Sequence, residues 1–287
     1  MSSTSSNTPT QIVTPELRDW IVAQAAAGHS PEVVVEAMKA SGWEEPTARL
    51  ALATTLGEKV AGLPAAAPTR PMPGRDISAV RSRIPAGDRE VALLMTMSNP
   101  RVVVFGDLLS AEECAELIAL AETRLARSET VATRTGESEV NEARTSDGMF
   151  FQPAEFPVCA RLEARLARLL DWPLENGEGL QILRYRPGAE YKPHYDYFDP
   201  AEPGTPTILK RGGQRLASIV CYLNTPEGGG ATVFPEAGIE VAPVQGNAVF
   251  FSYDRPHPAT RTLHGGAPVT AGEKWVATKW MREGRFE

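Results

Sequence analysis

The sequence predicts an α+β fold: a jelly-roll-type double sheet with flanking helices, preceded by a small three-helix module. Three observations predict it. Residues 14–60 carry apolar positions at helical spacing, punctuated by cap residues and glycines. Residues 61–97 are broken by proline and alanine, and after residue 98 two amphipathic segments lead into a run of short apolar strands.

The first 13 residues are Ser/Thr-rich and are expected to be disordered. Thr14-Pro15-Glu16 then supplies an N-cap, a proline at the first helical position and an acidic first turn. Leu17, Trp20, Ile21 and Ala25 share one face of that helix, and Gly28 ends it. Ser30-Pro31-Glu32 starts a second helix, with Val33, Val34, Ala37 and Met38 as its apolar positions and Gly42 as its stop. A third helix runs over about 45–58 through Ala48, Leu52 and Leu56, and Trp20 and Trp43 are the large core residues. The punctuation over 14–58 resembles a ubiquitin-associated-type three-helix bundle. The likeness is generic and implies no ubiquitin function; the plain reading of the module is a docking or dimerisation appendage that holds a protein partner.

Proline removes backbone donors and fixes φ, so the stretch from Pro64 to Gly74 holds neither helix nor strand. We read residues 61–97 as a semi-extended linker and 98–287 as a second, larger block. Arg101–Phe105 reads as a strand, and Ser110 and Glu113 have capping-box spacing ahead of a helix. Residues 154–170 form a second amphipathic helix. Strands follow at 179–185, 216–223, 231–234, 239–242, 247–252 and 274–281. Two irregular stretches, Arg134–Gly148 and Asp199–Gly213, look like lids over the mouth of the barrel.

The net charge of −7 comes from interspersed acids and bases, with no basic run, which argues against nucleic acid as a partner. Cys114, Cys159 and Cys221 are far apart and odd in number, so neither a disulfide framework nor a structural zinc site is expected. The N-terminus has no basic and apolar leader, and no apolar run approaches the roughly 20 residues that span a bilayer. These features predict a soluble, cytoplasmic protein without membrane partners.

Four histidines are present, and His194 stands two residues before Asp196. On an extended strand both side chains leave the same face, so an imidazole nitrogen and a carboxylate oxygen can meet one metal. A second histidine from a distant strand completes a facial triad with three open positions, the arrangement of non-haem Fe(II) oxygenases. His264 is followed ten residues later by Lys274, across a turn built by Gly265, Gly266, Pro268 and Gly272. Adjacent strands would point both into one cavity, where a buried lysine needs an anion such as the distal carboxylate of a dicarboxylate.

At this point the sequence resembles the prolyl 4-hydroxylase family of Fe(II)/2-oxoglutarate-dependent dioxygenases. The likeness covers about 98–283 and rests on Arg144-Thr-Ser146 and on Tyr185, Gly188, Tyr191, His194 and Asp196 at family spacing. It also includes Gly229-Gly-Ala-Thr232-Val-Phe-Pro235, Gly246 to Phe251, and His264 through Lys274-Trp275 to Lys279-Trp280. The resemblance implies a double-stranded β-helix (jelly-roll, cupin-like) core. It implies that His194, Asp196 and His264 bind Fe(II), that Lys274 pairs with the C5 carboxylate of 2-oxoglutarate, and that Tyr185 and Thr232 donate hydrogen bonds near it. The cosubstrate would chelate iron through its C1 carboxylate and C2 ketone, O2 would take the last site, and succinate and CO2 would be released, with ascorbate as reductant. Tyr191 and Trp280 match positions on the substrate side, and Arg144 matches one near its entrance.

His257, in Asp254-Arg-Pro-His-Pro258, is the rival third ligand, but its spacing to Lys274 exceeds the family pattern. The substrate implied is a proline in a peptide or protein. The runner-up is the same chemistry on a free amino acid, another peptide residue or a small metabolite. The third reading is a non-catalytic, cupin-like metal-binding protein, which would have no need of Lys274 and Thr232.

Overall fold

The computed structural model describes residues 13–26, 29–62, 82–131, 138–140 and 144–287. The expectations for residues 1–12, Gly28, linker residues 63–81 and most of 134–143 fall outside these. The chain divides into two compact units, Met1–Pro68 and Thr69–Glu287.

The first unit contains α1 (Pro15–Ala26), α2 (Pro31–Ala40) and α3 (Glu45–Gly62). Thr14 Oγ1 accepts the Leu17 N–H and Ser30 Oγ the Val33 N–H, so the first two helices start at their cap residues. Gly42 takes a positive φ of 90° just past α2, a conformation glycine adopts without strain. Ile21, Val34, Val35, Met38, Ala48, Ala51 and Leu52 form the core, with Trp20 and Trp43 packed against it. The expected face of α2 is corrected: Val33 and Ala37 are exposed, and Val35 takes the inward place beside Val34 and Met38. Ala25 is likewise exposed.

The second unit carries β1 (Arg83–Pro85), β2 (Glu90–Ser98), β3 (Arg101–Gly106), α4 (Ala111–Glu122), β4 (Ala126–Arg127), β5 (Glu129–Val131), β6 (Ser138–Val140), β7 (Asp147–Phe151) and α5 (Pro157–Leu170). Next come β8 (Leu180–Tyr185), β9 (Tyr191–His194), α6 (Thr205–Ile208), β10 (Arg215–Tyr222), β11 (Gly228–Gly229) and β12 (Thr232–Phe234). The last strands are β13 (Ile239–Val241), β14 (Ala248–Ser252), β15 (His264–Gly266), β16 (Val269–Ala271) and β17 (Lys274–Arg282). Nine strands form a major sheet in the order β1-β2-β3-β14-β10-β17-β8-β7-β4, and four form a minor sheet in the order β13-β12-β15-β9.

Alternation along the strands sorts the side chains into two cores. Ala217, Ile219 and Cys221 of β10 face α4 and α5, where they meet Cys114, Leu117, Leu162 and Leu166. Tyr222 of β10, Leu183 and Tyr185 of β8 and Phe251 of β14 face the minor sheet, where they meet Phe234 and Val241. The unit is therefore three-layered, helices on sheet on sheet, and the double sheet expected from the strand run is present.

The linker boundary is corrected. Residues 83–85 and 90–98 are strands of the major sheet, with Ile84 paired to Val91 and Met97 to Val102. Their apolar residues alternate with exposed ones, and the neighbouring prolines and glycines mask that period. Residues 154–156 precede α5 instead of belonging to it, since Pro157 occupies its first turn. Within the second stretch read as a lid, Thr205–Ile208 is helical and Thr205 is buried, its Oγ1 donating to the Asp199 carbonyl at 2.6 Å. The end of the first stretch is sheet: Arg144 bridges to Tyr191, and Gly148 lies in β7.

Candidate active site

The nine residues singled out in the sequence all line one small cavity between the sheets. It adjoins a larger cleft of about 520 Å³. Each residue arrives there for a local reason. His264 on β15 and His194 on β9 are direct cross-strand partners, so two positions 70 residues apart put their rings side by side, centroids 4.4 Å apart. Asp196 is not on the strand as expected. β9 ends at His194, and Asp196 sits in the bend that follows. Lys274 is not on a strand adjacent to His264 either: it lies on β17 of the major sheet, opposite Tyr185 of β8. The two sheets, and not two neighbouring strands, close the site.

Asp196 Oδ1 lies 3.4 Å from His194 Nε2, and its Oδ2 lies 3.5 Å from His264 Nε2. The three ligand atoms are all within 4.8 Å of one another. Each ring places Nδ1 2.9 Å from a main-chain carbonyl, that of Lys192 for His194 and that of Thr262 for His264. A neutral ring that donates from Nδ1 carries its lone pair on Nε2. Burial pushes His264 down to about 4, so at neutral pH that ring is neutral. Burial also disfavours the charge on Asp196, but His264, His194 and Arg215 outweigh it and hold the carboxyl well below the usual range. Electron pairs from two imidazoles and a carboxylate thus converge on one point, which is the donor set of a divalent metal site. An Fe(II) ion fits it.

Lys274 is buried, and its ammonium meets no carboxylate among the described residues. Its Nζ lies 5.4 Å from the Tyr185 ring centroid and 5.8 Å from that of Tyr222. Burial alone pushes it down to about 8. Gly230, at a φ of 73°, leaves room for its stem: a Cβ there would come within 3.0 Å of Lys274 Cδ. Thr232 of β12 pairs with Gly266 and faces the same space.

On the cleft side, Tyr191 stacks on His194 with centroids 3.7 Å apart, and the Arg144 guanidinium lies 4.8 Å over the Tyr191 ring. Arg144 is buried and donates to Gln181 Oε1 at 2.9 Å, so it is no surface ion pair. Its Nε and the Trp280 Nε1 are buried N–H groups with no hydrogen-bond partner among the described residues. His257 lines neither cavity. It caps a 3-10 turn, Pro258–Thr260, where its Nδ1 accepts the Ala259 N–H at 3.0 Å.

Three residues that touch the site had no signal in the sequence motifs. Ser218 donates to Asp196 Oδ2 at 2.6 Å and lies 3.0 Å from the Tyr253 hydroxyl. Tyr222 donates to Thr232 Oγ1 at 2.8 Å. For Ser218 and Tyr222 the alternation of β10, which puts them with Val220 on the face opposite Ile219, is the signal the sequence offers; Tyr253, just past the end of β14, has none.

Residues 180–282 match the family model of the 2OG-Fe(II) oxygenase superfamily. The chain is 42% identical over 203 residues to prolyl 4-hydroxylase 1 of Arabidopsis thaliana, covering 64% of this chain and 70% of that protein. It is 39% identical over 210 residues to probable prolyl 4-hydroxylase 3 of the same plant, covering 66% and 71%. Among solved structures, the viral collagen prolyl hydroxylase of Paramecium Bursaria Chlorella virus-1, as its 2OG complex, is 30% identical. That match has a TM-score of 0.49 and covers 63% of this chain and 95% of that one.

Proposed function

The chain belongs to the prolyl 4-hydroxylase family of 2OG-Fe(II) oxygenases, and we propose that it hydroxylates a proline within a peptide, using the residues of the between-sheet cavity. The observation that carries this reading is the meeting, in one cavity, of His194, Asp196 and His264 with a buried lysine that has no acidic partner among the described residues.

His194, Asp196 and His264 would hold Fe(II). Bound iron and 2-oxoglutarate supply the oxidising chemistry, in which O2 is divided between succinate, formed as CO2 leaves, and the hydroxyl of the product. The chain's own groups bind and orient. Lys274 offers its ammonium to the C5 carboxylate, and Tyr185 and Thr232 add hydroxyl donors, because a buried carboxylate needs donors as well as a countercharge. The Nδ1 contacts to the Lys192 and Thr262 carbonyls fix both imidazoles in the tautomer that leaves Nε2 free.

The cleft suits a prolyl peptide. Phe150, Tyr191 and Trp280 give it flat apolar walls for a pyrrolidine ring. The unpartnered N–H groups of Arg144 and Trp280 match the carbonyl acceptors of a peptide chain. A bare metal-binding cupin would have no reason to bury Lys274 without an acid. Incubating Fe(II)-loaded protein with 2-oxoglutarate, O2 and a panel of Pro-containing peptides and free amino acids tests the reading. It predicts succinate release coupled to the gain of one oxygen atom by a peptide at proline. Succinate release with oxidation only of a free amino acid or metabolite would move the assignment to another substrate of the same chemistry.

Three further points complete the proposal. Ascorbate serves as the reductant that rescues enzyme after uncoupled turnover, and added ascorbate should prolong linear kinetics. The three-helix unit, residues 14–60, docks a protein partner and takes no part in the chemistry. The protein works in the reducing cytoplasm: its three cysteines are free and buried, and burial pushes the Cys114 and Cys159 thiols up to about 11.

A further inference from the structure

The inner face of β10 holds two buried hydroxyl chains that end at the two places where the site must hold a carboxylate. In the first, Ser218 Oγ donates to Asp196 Oδ2 at 2.6 Å and stands 3.0 Å from the Tyr253 hydroxyl. A serine has one hydrogen, and it is committed to the carboxylate. The Tyr253 O–H is therefore the donor to Ser218. In the second, the Tyr222 O–H donates to Thr232 Oγ1 at 2.8 Å, which leaves the Thr232 hydrogen to point elsewhere. Thr232 lines the cavity beside Lys274. Ser218, Tyr222 and Tyr253 are all fully buried, and burial raises both phenols above their ordinary range, so each tyrosine remains a donor.

We propose that these chains, Tyr253–Ser218–Asp196 and Tyr222–Thr232, are positioning devices. The first fixes Asp196 so that Oδ1 faces the metal as a single-oxygen ligand. The second turns the Thr232 hydrogen toward the distal carboxylate of the cosubstrate. The inference rests on the functional reading above, because it takes the metal and the dicarboxylate from it.

Without Ser218, Oδ2 loses the one hydroxyl that donates to it among the described residues, and the carboxylate is free to rotate or to bind through both oxygens. Without the Tyr222 hydroxyl, Thr232 can turn its own hydrogen away from the cavity. Strand β10 makes the two chains independent: Ser218 and Tyr222 are two pleats apart, and each acts on a different element, the bend after β9 and strand β12 respectively. Removing an outer partner of a metal ligand typically weakens the metal about ten- to a hundredfold. Losing one neutral hydrogen bond to an oriented donor costs about fivefold.

The test is a double dissociation on the full-length chain. Apo protein is titrated with Co(II) or Mn(II) by calorimetry. The Fe(II) protein is titrated anaerobically with 2-oxoglutarate through its metal-to-ligand absorption band. Ser218→Ala should bind metal ten- to a hundredfold more weakly, and Tyr253→Phe about fivefold more weakly. Both should bind 2-oxoglutarate within twofold of wild type once metal is saturating. Tyr222→Phe should show the reverse, with metal binding unchanged and 2-oxoglutarate about fivefold weaker. Near-UV circular dichroism and melting in EDTA confirm the fold. If Ser218→Ala fails to fold, Tyr253→Phe decides, since it deletes one hydroxyl and no packing. Folded variants that bind both ligands like wild type, or that weaken both ligands equally, overturn the proposal. Wild-type protein that binds no metal at all would sink the functional reading, and this inference with it.

Discussion

Strand β17 buries two lysines five residues apart, and the strand's alternation sends them to opposite faces of the major sheet. Lys279 points toward α5, where its Nζ lies 2.8 Å from Glu163 Oε1 and donates to the Glu178 carbonyl at 2.5 Å. Lys274 points toward the minor sheet and meets aromatic rings but no acid among the described residues. The same division holds for the other buried charges. On the helix side Arg165 is closed by Asp88 and Glu113, and along the edge of the cleft Glu178 is shared by Arg215 and Arg282. At the site, His194, Asp196 and His264 turn electron pairs toward one another. A buried charge without a partner is costly, so a fold that keeps one open is reserving the place for something it binds. Closed pairs hold the layers together, and open ones mark what the layers were assembled to hold.

The comparison can be broken at several points, and the largest effect belongs to the metal cluster. Asp196→Ala removes the only anionic donor, so metal binding and all turnover should be lost while the apo fold melts near the wild-type temperature. Turnover at the wild-type rate in metal-replete buffer would remove Asp196 from the site. Lys279→Met should act on the fold instead. It strands Glu163 as a buried, unpaired carboxylate, and chemical denaturation should show a loss of about 3–5 kcal/mol. A variant as stable as wild type would mean that the closed pair contributes nothing.

Lys274→Met is the matching change on the open side, and its two consequences have opposite signs. The affinity for 2-oxoglutarate should fall roughly a hundredfold, since a buried carboxylate loses its countercharge. The apo protein should melt at the same or a higher temperature, because an unpaired buried charge has gone. A large drop in melting temperature would show that Lys274 is structural.

The same contrast has a pH signature. Lys274 titrates near 8 in the folded apo protein and about 10.4 unfolded, so between those values the unfolded chain binds the extra proton. Stability therefore rises with pH across that window, by about 1.4 kcal/mol per unit at most, relative to Lys274→Met. The affinity for 2-oxoglutarate moves the other way and should fall toward tenfold per unit above pH 8, because only the ammonium pairs with the carboxylate. Affinity that stays flat from pH 7 to 10 would give the cosubstrate to another cation. The smallest effect is expected from deleting the first unit. A chain starting at Thr69 should bind metal and turn over a short peptide at about the full-length rate, losing only its action on an intact partner. Aggregation, or loss of 2-oxoglutarate turnover, would make residues 14–60 part of the catalytic structure.

The legible parts of this molecule are those whose determinants lie close together in the chain. Ser110 and Glu113 announce α4, and both capping hydrogen bonds form. The spacing from His194 to Asp196, and from His264 to Lys274, carries the likeness that points to the cavity. The strands at 83–85 and 90–98 were not legible, because the proline-rich stretch before them and the Gly87 turn between them hide a short alternating pattern. Ser218 was not legible either. It reads as one small polar residue in an apolar strand, and its partners stand 22 residues before it and 35 after.

By itself the sequence determined the periods, the caps and the residue types able to ligate iron and pair with a dicarboxylate. Only the tertiary structure decided which of them face one another. Lys274 and Lys279 are alike as letters, and alternation says no more than that they point to opposite faces. That one meets Glu163 and the other the between-sheet cavity depends on a helix more than a hundred residues earlier in the chain and on the sheet packed across the opposite face. Hydrogen bonds and ion pairs act over a few ångströms of space, and no spacing along the chain reports that distance.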